Sequence, residues 1–247
     1  MAKPALASQI ILVVAGALAA GALALYVQAH RPPRGYQPVR LDAAQRQEAA
    51  VRFFNHLADF HNHAVADAPF EAAISSAEIN AYLASMDEIA AMLPGERPGQ
   101  VMRGMAQAGL DTPAVILGDG RLTLMVRSSR HDKVISADLR VDQVPAEQFQ
   151  VGLEGVHVGR LPIPPSLARG RLADLAERLA ELEDRPEDAR AGPAALARRT
   201  SVLAMAALRS ALEGRPLEPL IRVEGRAWRV RDVRISPQQI VMELQPA

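Results

Sequence analysis

The sequence predicts an α+β protein: an N-terminal transmembrane helix, then a curved antiparallel sheet of about six strands packed against long helices. Three observations carry that expectation. Ile10 to Val27 is an unbroken run without a charged side chain. Apolar residues alternate with polar ones from about Val115 to Leu153, and strand-like runs return after Leu220. Before and between these stretches, apolar positions recur three and four apart, as on one face of a helix.

In chain order, Ile10–Val27 with Ser8 and Gln9 reaches the roughly 20 residues that cross a bilayer, so residues 1–29 are expected to be an anchor whose helix covers about 8–28. The run exceeds the 7–15 apolar residues of a cleavable signal peptide, which favours retention. Lys3 precedes the span and Arg31, Arg34 and Arg40 follow it, which on charge alone favours a cytoplasmic domain. Long domains translocate largely regardless of such charges, and the chain starts like a signal anchor, so the extracytoplasmic side of a cell membrane is preferred. Residues 30–40, with Pro32, Pro33, Gly35 and Pro38, read as a stiff spacer.

One domain is expected over 41–247. Ala50, Phe53, Phe54, Leu57, Phe60 and Ala64 place an amphipathic helix between Asp42 and Val65. A short strand at Phe70–Ile74 follows, and Ser75 with Glu78 forms a capping-box signature for the next helix. Gly118-Asp119-Gly120 marks a hairpin between Val115-Ile116-Leu117 and Leu122, Leu124, Val126. Ile135, Ala137, Leu139 and Val141, then Phe149, Val151 and Leu153, extend it into a meander. A helical segment is expected over 166–213, from Leu172, Leu175, Leu179 and Leu182, then Leu196, Leu203, Leu208 and Leu212. Leu220–Val223, Trp228–Ile235 and Ile240–Leu244 are strands, with a shift of inward phase between Val230 and Val233 that predicts a bulge near Asp232.

Composition narrows the function classes. Lysine plus arginine equals aspartate plus glutamate at 28 each, so no global excess of positive charge draws the chain to nucleic acid. Cysteine is absent, which excludes disulfides, thiolate metal sites and cysteine nucleophiles. No phosphate-cradling glycine loop, nucleophile elbow or cofactor fingerprint occurs, so neither an enzyme nor a cofactor is expected. His56, Asp59 and His63 fall on one side of the first amphipathic helix, where they could share a metal ion or simply be solvated; no metal site is assigned. Glu78 and Asn80 invite a site, but Glu78 already has a mechanical role in the cap. Arg226, Trp228, Arg229 and Arg231 make a basic strand face carrying an indole, suited to a membrane surface or to discouraging edge-to-edge aggregation.

Two stretches carry a resemblance: Ile74-Ser75-Ser76-Ala77-Glu78-Ile79-Asn80-Ala81-Tyr82-Leu83, and Val151–Leu167 with Gly155, Gly159-Arg160-Leu161-Pro162 and Pro164. These resemble the YpmS-type proteins, in which a single N-terminal span precedes an extracytoplasmic domain. More remotely, the order of strands and helices is similar to tubular lipid-binding domains, whose curved sheet wraps a long helix and leaves an apolar groove. The segment from Ala168 to Arg215 departs from that pattern, and the resemblance assigns no catalytic residue.

The expected function is a non-enzymatic, membrane-anchored envelope protein binding lipid or another apolar ligand between sheet and helices, with Leu124, Val126, Leu139, Val151 and Leu153 as wall residues. The alternative is a structural or assembly protein that presents helices in 168–215 to a protein partner. An elongated apolar pocket would favour the first, a filled core with an exposed leucine stripe the second.

Overall fold

A computed structural model describes residues 20–93, 99–144, 148–164, 209, 213–217 and 220–247. Its architecture is α+β, with extensive antiparallel sheet and few helices among the described residues. Helix α1 is described over residues 20–30. The other helices are α2 (Ala43–Val65), α3 (Ser76–Ala84), α4 (Met86–Ala91) and α5 (Gln100–Gln107). Asp42 caps α2 through a reciprocal box with Gln45, and Ser75 caps α3 through one with Glu78, as the serine-to-glutamate spacing predicts.

The strands do not form one sheet of about six. Strands β1 (Phe70–Ser75), β8 (Leu220–Val223), β9 (Arg226–Ile235) and β10 (Gln239–Pro246) make a four-stranded sheet in the order β1-β10-β9-β8. The second sheet is the meander β2 (Leu110–Gly118), β3 (Arg121–Ser128), β4 (Lys133–Val144), β5 (Gln148–Val158) and β6 (Leu161–Ile163), with β7 (Pro216–Leu217) also on β5. The first sheet closes because β1 pairs with β10 from Phe70↔Leu244 to Ser75↔Gln239. Local patterning marks both strands but carries no information about a partner some 170 residues away. The expected bulge is present: Glu243 faces Asp232 but Leu244 faces Val230, so Arg231 is the extra residue.

The core lies between α2 and the four-stranded sheet. Leu57 and Ala64 pack with Val223, Trp228, Val230 and Leu244, and Phe149 of the meander joins them, with Phe53, Phe54 and Phe60 at its margin. The two sheets also meet where the Gly120 amide donates to the Ile235 carbonyl and the Gln143 carboxamide to the Arg231 carbonyl.

Residues 30–40 do not hold the domain away from α1. The Tyr36 side chain packs with Ala114, Met125 and Val134 on one face of the meander, and its hydroxyl donates to the Thr112 carbonyl at 2.8 Å. The Arg160 amide donates to the Gln28 carbonyl at the end of α1, and the Arg160 guanidinium to the Pro32 carbonyl at 3.0 Å. Proline-rich chain is stiff, and stiffness suits docking along a sheet as well as it suits a spacer.

The expected span covers the described residues only from 20 onward, and among the described residues no helix is long and apolar enough to cross a membrane. Nearly all of the expected helical segment 166–213, from 166 to 208, lies outside the described residues.

Candidate functional site

Side chains that face each other across an antiparallel pair share one face of the sheet, so the register maps the faces of the meander. Leu122 lies opposite Leu139, Leu124 opposite Ala137, and Val126 opposite Ile135. On the other side of β4, Leu139 faces Leu153, Val141 faces Val151, Ala137 faces Val156, and Ile135 faces Val158. The same face takes Val115 and Leu117 from β2 and Leu161 and Ile163 from β6. Every one of these residues is apolar.

All five expected wall residues sit on that face. Leu139 and Val151 are buried together in a small cluster, with Leu124 and Leu153 half-buried against them. Val126 is half-buried farther along β3. The periodic reading stopped at Leu153 and missed Val156 and Val158. The cause is a bulge: Asp138 faces Gly155 while Leu139 faces Leu153, leaving Glu154 extra. The signal was legible as a switch from Phe149, Val151, Leu153 to Val156, Val158, odd to even, with a charged residue between.

The opposite face is polar or covered. Glu154 reaches across to Arg121 at 3.1 Å and Arg140 at 3.6 Å. The Thr123 hydroxyl donates to Asp138, whose other oxygen lies 3.4 Å from His157 Nδ1. A shallow cavity of about 490 Å3 opens at the β2–β3 turn, lined by Asp119, Arg121, Arg140 and Asp142 among others. It contains none of the five wall residues, so it is not the elongated apolar pocket that a lipid would occupy.

The residues expected at a membrane surface are not brought together as one. Trp228 is fully buried, its ring 5.2 Å from Phe70 in an edge-on contact, so the indole belongs to the core and does not meet lipid. Its Nε1 has no hydrogen-bond partner among the described residues. Arg226 donates to the Val65 carbonyl and lies 3.6 Å from Asp67, while Arg231 stands 3.9 Å from Glu243. Arg229 follows Trp228 directly and points to the other side of the strand.

The histidines of α2 have separate engagements. His56 Nδ1 is 2.9 Å from the Tyr82 hydroxyl and its Nε2 is 3.6 Å from Glu78, whereas His63 stacks on Phe70. Burial first, and then the Glu78 charge, push the Tyr82 phenol up to about 12. Among the described residues no group of three or more histidine, aspartate or glutamate side chains could hold a metal ion.

Asn80, two residues after the capping glutamate, has a role that its sequence position does not disclose. Its carboxamide donates to the Val115 carbonyl at 2.9 Å and accepts from the Val115 amide at 2.8 Å. No protein-family model matches the chain, and neither does any curated protein or solved structure.

Proposed function

We propose that this is a non-enzymatic, membrane-anchored envelope protein whose domain, on the extracytoplasmic side, holds a lipid or another apolar ligand against the apolar face of the meander. One observation supports it: the middle of that face, from Val115 to Ile163, is apolar, with polar residues at its ends where Ser128 faces Lys133 and Gln143 faces Phe149, yet Leu124, Val126 and Leu153 are only half-buried. A sheet with one polar and one apolar face buries the apolar one against something. In this proposal the sheet is curved, the leucine-spaced residues of 166–213 form the long helices beside it, and Ile10–Val27 is the span.

A rival reading has its own observation. Strands β6 and β7, which flank the segment 168–215, both pair with β5, so that segment departs from and returns to one strand. A structural or assembly protein would present it to a protein partner.

Native mass spectrometry of the full-length protein extracted from membranes in mild detergent separates the two. A retained lipid mass, reduced in Leu153→Ala, supports the ligand reading. A lipid-free protein that copurifies with a stoichiometric partner, lost on deleting 168–212, supports the rival and overturns the first.

A further inference from the structure

The end of the meander that receives α1 is ringed by cations. Helix α1 stops at the β5–β6 turn, where Gly159 is buried with φ +60, and a Cβ there would lie 2.7 Å from the Arg31 carbonyl oxygen. The Gly159 amide donates to the Val134 carbonyl at 2.7 Å, which brings Lys133 and the β3–β4 turn to the same end. Arg31, Arg130 and Arg160 are exposed there, and Lys133 is half-buried. None of the four is in an ion pair among the described residues; the nearby Asp132 is taken by Arg127.

The helix arriving at this ring is itself exposed and apolar. Leu23, Leu25 and Tyr26 are 64%, 53% and 61% exposed, and they continue the uncharged run that begins at Ile10. Cations collected where an apolar helix enters a domain match one environment, the boundary between acyl chains and anionic headgroups. The arginines of β9 do not share it. Strand β9 meets β4 at Arg231 and Gln143, ten residues from Lys133, or about 30 Å along the strand.

We propose that this ring seats the domain on the anionic lipid headgroups of the membrane holding α1, with the β3–β4 and β5–β6 turns against the bilayer. The proposal rests on the reading of Ile10–Val27 as the span.

The chain lacks cysteine, so single labels can be placed in the full-length protein in nanodiscs. Ser129→Cys labels the ring end, and Asp119→Cys labels the β2–β3 turn at the other end of β3. With nitroxide-headgroup lipid as quencher, the Ser129 label is quenched in discs containing phosphatidylglycerol and the Asp119 label is not. That quenching falls several-fold between 0.1 M and 1 M salt, as the screening length shrinks from about 10 Å to about 3 Å. It falls likewise in Arg130→Glu/Lys133→Glu, where each basic charge near the surface shifts the seated population about five-fold. Equal quenching at both labels, or quenching at Ser129 that is unchanged by salt and in pure phosphatidylcholine discs, overturns the seat while the protein remains inserted. A protein that carbonate strips from the discs overturns the span, and the seat with it.

Discussion

The carboxamide of Asn80 reproduces, with one side chain, the pair of hydrogen bonds that a neighbouring strand would give β2 at Val115. Among the described residues strand β2 pairs only with β3, so its outer backbone groups need partners, and Val115 is 5% exposed. Asn80→Ala should therefore cost on the order of 1–3 kcal/mol, measured by urea unfolding, because a buried donor and acceptor lose their partners together. At the start of the same helix, the Ser75 hydroxyl and amide, and then His56 and Arg52, hold the Glu78 carboxylate below its ordinary value against the opposing effect of burial. A folded value below the unfolded one stabilises the protein above the unfolded carboxylate value of about 4.3, and that contribution disappears as pH falls through the lowered folded value. Wild type should thus unfold at higher urea than Glu78→Gln at pH 7. The gap should close in the acid range, and a gap constant from pH 7 to pH 3 would show that the charge is not involved.

At the scale of elements, local pattern disclosed most strands, the longer helices and the hairpin pairing of the meander, but not the pairing between strands distant in the chain. The ends of α2 and β8 agree with the expectation to within a residue, because a strong 3.6-residue stripe with an Asp42 cap and a Leu220–Val223 run are both local facts. The division into two sheets was not legible, since it depends on β1 finding β10 across the length of the chain. Nor was the burial of Trp228 legible: alternation gives two faces, and the arginines on either side of the indole argued for the wet one. The apolar face of the meander was legible because the meander is local, and incompletely so because Glu154 shifts the phase. That face carries a graded prediction. Leu139, 4% exposed, should cost about 2–5 kcal/mol on truncation to alanine, as buried leucines do. Leu153, half-buried in the same cross-strand pair, should cost less in the delipidated protein and more in retained lipid. Chemical denaturation paired with lipid mass analysis reads both; equal losses of stability with unchanged lipid would mark the face as ordinary core.

For the whole molecule, the position of α1 is set by one turn. Gly159 adopts a left-handed conformation that costs other residues about 1 kcal/mol, and any side chain there overlaps the Ala29 carbonyl. Gly159→Val should release residues 28–36 from the meander without unfolding it. Limited proteolysis in the 31–40 stretch, where Arg34 and Arg40 offer tryptic sites, should then accelerate while cleavage elsewhere stays at the wild-type rate. Uniform acceleration would mean that the turn supports the fold as a whole.

The chain has a single tryptophan, and it is the fully buried Trp228 between α2 and the four-stranded sheet. The protein thus has a tryptophan reporter in the core of one sheet and none in the meander. Its emission, blue-shifted by the dry surroundings, should red-shift chiefly when α2 parts from β9 and β10, with the meander reaching it through Phe149. Far-ultraviolet dichroism sees both sheets. If they unfold as one cooperative unit, the two signals will trace a single transition. If the few hydrogen bonds and the Phe149 contact that join the sheets are too weak for that, dichroism will move first, and the interval between the curves will measure the coupling between them.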